Sequence, residues 1–118
     1  MHDNDLGKEG EKQAINFLIK KGYKILSKNY RFQKFEIDII ATCNNILVGI
    51  EVKTRSTNHF GNPEGFVKPE QIKRIVKAMD YYINDNKLEN EVRFDIISIT
   101  KNKSAYTIKH IEDAFYCF

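Results

Sequence analysis

Two strand-like runs, residues 36 to 41 and 47 to 53, stand on either side of Asn44-Asn45, and this arrangement constrains the chain more than any other part of it. Asparagine tolerates positive φ, so the pair suits a two-residue type I′ turn whose twist matches that of the strands it joins. A turn of that length fixes the register. It predicts Cys43 against Ile46, Asp38 against Glu51 and Glu36 against Lys53. Side chains alternate along a strand, so Ile37, Ile39, Ile50 and Val52 fall on one face and need covering by helices, while Asp38, Glu51 and Lys53 share the other.

The rest of the chain supplies such helices. Residues 6 to 21 read as a first helix, with Asp5 as N-cap and Gly22 as the residue that ends it. Helical steps back from Leu18 reach Ala14, Glu11 and Gly7, which puts a carboxylate in line with the inward face. Residues 23 to 32 read as a strand. Residues 54 to 68 hold Gly61, Pro63 and Gly65 and show no period, which predicts a loop. Pro69 opens a second helix to about residue 84, with Ile72, Ile75, Val76, Met79 and Ile83 along one side. Residues 92 to 100 and 105 to 111 read as two further strands joined near Asn102-Lys103, and the apolar end from Ala114 should dock. The expected architecture is a single α/β domain over residues 1 to 118.

A chain of 118 residues with 42% hydrophobic and 30% charged residues has the make-up of a soluble domain. No apolar run approaches the ~20 residues that span a bilayer, and the acidic, polar start is unlike a secretion signal. A cytoplasmic protein without a membrane partner is therefore expected. Cys43 and Cys117 are far apart and read as free thiols. The 19 Lys and Arg against 16 Asp and Glu give +3, which permits a polyanionic partner without requiring one. Lys68, Lys73, Arg74 and Lys77 cluster near the second helix, as a nucleic-acid-binding patch would, although a solvated helix face has the same composition.

Asp38 and Glu51 as cross-strand neighbours would repel unless a divalent cation lay between them, and hard oxygen ligands suit Mg²⁺ or Mn²⁺. Lys53 projects from the same face and can orient a metal-bound water or offset charge on a scissile phosphate. Glu11 can add an oxygen if the first helix packs beside the hairpin. Alternating Glu, Asp and Lys also describes a strand face washed by solvent, with Glu36 and Lys53 as a weak ion pair. The facing acids and the inward Glu11 are the two details that solvation does not explain. Arg55, beside these residues, suits a phosphate contact. His59 and His110 lack a partner at ligand spacing, Asp95 reads as a structural partner of the sheet, and Tyr81 or Tyr82 could stack on bases.

Asp38 followed, after a hairpin turn, by Glu51-Val52-Lys53 resembles the PD-(D/E)XK nuclease superfamily. Gly7-Lys8-Glu9-Gly10-Glu11, Gly22-Tyr23, Asn29-Tyr30-Arg31, Glu36-Ile37-Asp38-Ile39, Glu51-Val52-Lys53-Thr54-Arg55, Arg93-Phe94-Asp95 and Ala114-Phe115 together resemble the small bacterial YraN-type family, itself similar to archaeal Holliday-junction resolvases. The resemblance implies a restriction-endonuclease-like αβββαβ core, a mixed sheet flanked by helices. It implies metal held by Asp38, Glu51 and the carbonyl of Val52, with Lys53 assisting the attacking water, Glu11 contributing from the first helix and Gln71 supporting from the second. Two departures from the family pattern stand at Phe35, which would narrow access to the metal, and Glu70, where a lysine is usual.

The function so implied is a Mg²⁺- or Mn²⁺-dependent endonuclease acting on DNA, branched or otherwise structured. Resolvase-like cutting of two strands would favour a twofold dimer. A nucleic-acid-binding module that retains the fold without turnover, and an interaction domain without a nucleic-acid role, remain the alternatives.

Overall fold

The computed structural model describes residues 3–56 and 68–115. Seven elements follow one another: α1 (Asp3–Lys20), β1 (Lys24–Phe32), β2 (Phe35–Cys43), β3 (Ile46–Ser56), α2 (Pro69–Asn86), β4 (Glu91–Asn102) and β5 (Ala105–Ile111). The five strands form one sheet in sequence order, antiparallel except for β3 and β4, which run parallel across the α2 crossover. The expected α/β class and αβββαβ core are therefore present. β5 closes the far edge.

Local chemistry explains the ends of the elements. At the end of α1, Gly22 takes a φ of 95° and its N–H donates to the Ile19 carbonyl at 3.0 Å, while the Tyr23 N–H donates to Leu18 at 2.9 Å, a Schellman ending. Asp5, expected as the N-cap, lies inside α1, which starts at Asp3. Pro69 opens α2, which runs two residues past the expected end because a lysine, Lys87, takes the left-handed C-cap position at φ 54°. β3 continues to Ser56, so Thr54 and Arg55 belong to a strand and not to the expected loop; parallel pairing with β4 extends it. His59, Gly61, Pro63 and Cys117 lie outside the described residues. Cys43 is a free thiol, as expected.

The hairpin register holds. Asn44 and Asn45 have φ of 51° and 66°, and the ladder runs from Cys43↔Ile46 to Ile39↔Ile50. It then stops, one step short of Asp38 and Glu51. From there β2 pairs only with β1, through Ile37↔Tyr30 and Glu36↔Arg31, while β3 pairs with β4. The two strands part as a fork. Glu36 thus faces Arg31 and not Lys53, a correction to the expected register beyond the fork.

Helices cover both faces of the sheet. Ala14 and Leu18 of α1 pack on Ile39, Val48, Ile50 and Ile97, while Ile75, Ala78 and Met79 of α2 pack on Ile37, Ile40, Leu47 and Ile96. The expected grouping of Ile37 with Ile39 is therefore wrong. Between their β1 partners, Lys28 and Tyr30, Asn29 takes a left-handed φ of 51° and breaks the alternation, which turns Ile37 to the α2 side. The hairpin's second face is likewise apolar at Ile40 and Leu47, and polar only near the fork.

Away from the fork, Asp95 is fully buried and ties β4 to β5 and to the turn that follows it. Arg93 donates to both its oxygens at 2.9 Å, His110 Nε2 lies 2.7 Å from Oδ2, and the Asp113 N–H donates to Oδ1 at 3.0 Å. Arg93 also reaches the Tyr23 hydroxyl at 2.7 Å. Asp95 and His110 are structural, as the sequence suggested.

Candidate active site

The fork leaves backbone and carboxyl groups facing one another without a ladder between them. The Val52 N–H donates to Asp38 Oδ2 at 2.8 Å. In an extended strand the N–H and C=O of one residue point to the same side, so the Val52 carbonyl projects into the same gap. Burial pushes the Asp38 carboxyl up to about 8, with the charge of Glu51 and a hydrogen bond to Glu51 adding to it; the Val52 N–H acts the other way. The two acids line the same cavity at the fork. Such a pair holds a proton between its members until a cation takes the proton's place.

Glu51 is gripped from two elements. The amide of Gln71 on α2 donates to Glu51 Oε2, and Lys53 Nζ lies 3.6 Å from the same oxygen. The Glu51 and Lys53 side chains are only 11% and 20% exposed, so this ion pair is shielded from bulk water. Glu11 lies on the α1 side, lining a cavity together with Asp38 and Val52. Burial raises its pKa, and the charge of Asp38 raises it further; a hydrogen bond with Asn29 opposes both, and the charge of Glu36 adds a smaller upward push.

Asp38 borders two cavities. One, about 410 Å³, opens on the α2 side beside Glu51 and Gln71 and is walled by Lys34, Lys68 and Arg74 together with Glu36 and Glu70. The other, about 500 Å³, opens on the α1 side beside Glu11, Val52, Thr54 and Arg55. Phe35, expected to narrow access, instead packs into the α2-side core, whereas Glu70 does face the first cavity. Of the three helical cations singled out, Arg74 lines that cavity, whereas Lys73 and Lys77 are exposed outside the wall.

Among the described residues no three His, Cys, Asp or Glu side chains gather as a metal-binding group. The donor set at the fork is therefore two carboxylates and one carbonyl. That set fits Mg²⁺, which takes a few protein oxygens and fills its remaining positions with water and phosphate. Asp38, Glu51 and Val52 are the residues that would hold it. Glu11 shares a cavity with Asp38 and Val52 and feels the charge of Asp38.

Several residues here were given no role by the sequence reading. Gly10 lies against Thr54 so closely that an added Cβ would stand 2.0 Å from Thr54 Oγ1, and this contact seats α1 over the end of β3. Asn29 both turns the strand and engages Glu11. Lys34 comes from the turn between β1 and β2, and only the folded hairpin brings it to the cavity.

Fold and site define a single-domain α/β protein with a restriction-endonuclease-like core and a carboxylate pair at a split between strands. Residues 10–99 match the model described as "Uncharacterised protein family UPF0102", and the chain belongs to this YraN-type family. It is 56% identical over 115 residues to a UPF0102 protein of Christiangramia forsetii, covering 98% of this chain and 97% of the relative. It is 50% identical over 112 residues to one of Thermodesulfovibrio yellowstonii, covering 95% and 96%.

Proposed function

We propose that the protein is a Mg²⁺- or Mn²⁺-dependent endonuclease that hydrolyses phosphodiester bonds of DNA, branched or otherwise structured. The observation that carries this reading is that Asp38 and Glu51 line one cavity at the fork, with Glu51 braced by Gln71 and Lys53. A divalent cation at such a pair supplies Lewis acidity and a more acidic bound water. Gln71 fixes the Glu51 carboxylate in orientation, as supporting residues do at metal sites. The Lys53 ammonium orients the attacking water and offsets negative charge growing on the phosphate. Arg55 and Arg74, one on each side of Asp38, contact flanking phosphates. Symmetric cutting of two strands would call for a twofold dimer, and the reaction is expected in the cytoplasm.

The test is cutting of linear, nicked, flap and four-way DNA with and without added metal. Asp38→Asn and Lys53→Ala should fold normally and lose the cutting, and equal activity in these variants would assign it to a contaminant. A second reading, a binding module without turnover, is favoured by the absence of a third acidic side chain grouped with the pair among the described residues. It predicts salt-sensitive DNA affinity with no metal-dependent product.

A further inference from the structure

Tyr81 and Tyr82 are adjacent on α2 but do different things. Tyr82 sits edge-on to Tyr30 with ring centroids 5.1 Å apart and packs against the α2-side core. Tyr81 stays 40% exposed, although its ring lies flat on Phe32 at 3.4 Å with 20° between the planes. Phe32 pairs with Phe35 across the two-residue turn that carries Lys34, and Lys34 is in the cavity wall beside Asp38. Arg74, in the same wall, precedes Tyr81 by two helical turns on the same side of α2, roughly 10 Å along the axis. A row of features therefore leads away from the carboxylate pair, first the cations Lys34, Lys68 and Arg74, then the exposed Tyr81 stacked on the half-buried Phe32. Glu36 and Glu70 share the wall with these cations, in addition to the Asp38–Glu51 pair itself.

Cations followed by an open aromatic face are what single-stranded nucleic acid uses, because phosphates follow the charges and an unpaired base can lie on a ring. A base inside a duplex has both faces covered by its neighbours and cannot do this. We propose that a single-stranded DNA segment runs from the Asp38–Glu51 site along α2, with phosphates on Lys34, Lys68 and Arg74 and a base stacked on the Tyr81–Phe32 pair. The inference rests on the nuclease reading and sharpens it: the substrate is DNA with a single-stranded arm beside the cut, and not DNA that is duplex throughout.

The test measures binding by fluorescence anisotropy in EDTA, using a labelled single strand, a blunt duplex and a duplex with a single-stranded arm. The single strand and the arm should bind more tightly than the blunt duplex. Tyr81→Leu should weaken both by about fivefold or more, given a stacking contribution of ~1 kcal/mol or more per base, and leave the blunt duplex unaffected. Tyr81→Phe should bind as the parent does. Lys34→Glu, in an exposed turn, should weaken single-strand binding and lower its salt dependence, and it decides the matter if Tyr81→Leu proves unfolded. Equal affinity for blunt duplex and single strand, or unchanged single-strand affinity in a folded Tyr81→Leu or Lys34→Glu, overturns the proposal. Cutting is scored separately with Mn²⁺. Tyr81-dependent single-strand binding without cutting removes the nuclease and keeps the track, whereas cutting without strand preference does the reverse.

Discussion

The Val52 backbone N–H donates to Asp38 Oδ2 at 2.8 Å across the gap where β2 and β3 cease to pair. One hydrogen bond thereby does the work of the missing ladder, and it holds an acid where a ladder partner would otherwise stand. The first predictions concern that acid.

Asp38 has a folded value of about 8 against an ordinary value of 3.8. A carboxyl raised in this way favours the folded state only while protonated, so stability without metal falls as pH rises from about 4 to about 8. Asp38→Asn keeps an oxygen for the Val52 N–H and never ionises. It should be more stable than the parent at pH 8 in EDTA, by on the order of 1 kcal/mol or more, with the two converging near pH 4. Urea denaturation across this range is the measurement.

The same proton opposes a cation. Mn²⁺ affinity measured by calorimetry should rise by about tenfold per pH unit below 8, with about one proton released per ion bound. A pH-independent affinity would place the ion elsewhere.

Gln71 touches Glu51, and in the proposed reaction it would act through that carboxylate. Gln71→Leu should leave the fold intact and weaken Mn²⁺ binding by about 10- to 100-fold, the usual cost of losing a group that orients a metal ligand. Excess Mn²⁺ should restore part of the cutting.

Gly10 offers a test by sign. Replacing a helical glycine with alanine ordinarily stabilises by up to about 1 kcal/mol. Here the new Cβ would meet Thr54 Oγ1 at 2.0 Å, so Gly10→Ala should destabilise by about 1 to 3 kcal/mol. Thr54→Ala should recover part of the loss, and a double-mutant cycle by thermal melting reads the coupling.

Asp95 is the converse of Asp38. Burial alone would raise its pKa, but hydrogen bonds from His110, Arg93 and the Asp113 N–H outweigh burial and lower it. Its contribution is present above the ordinary carboxylate value and lost as pH falls through the lowered one. Asp95→Ala should cost about 3 to 5 kcal/mol, since it strands a partly buried Arg93, and should flatten acid unfolding below pH 4.

What the sequence revealed follows from the range of each interaction. Asn44-Asn45 and Gly22 act on their immediate neighbours, so the turn, the register and the end of α1 were legible. Asn29 in a strand and Lys87 at a helix end adopt the same left-handed conformation without the glycine that would mark it, and neither could be read. The alternation that grouped Ile37 with Ile39 failed for the same reason, since one residue on the adjacent strand reversed it. Asp38, Glu51, Lys53 and Gln71 were found because a resemblance supplied what spacing could not. The fork itself was invisible, because a hairpin pattern does not say where one strand leaves its partner for another.

That parting has a dynamic consequence. Beyond Ile50, β3 is laddered to β4 alone, so the segment from Glu51 to Ser56 can open without unzipping the turn. Its amides should exchange with solvent faster than those of residues 46 to 50, and a bound cation, by tying Glu51 and Val52 back to Asp38, would close that difference. The strand end carrying Lys53 is thus free to adjust to a substrate while the rest of the sheet keeps still.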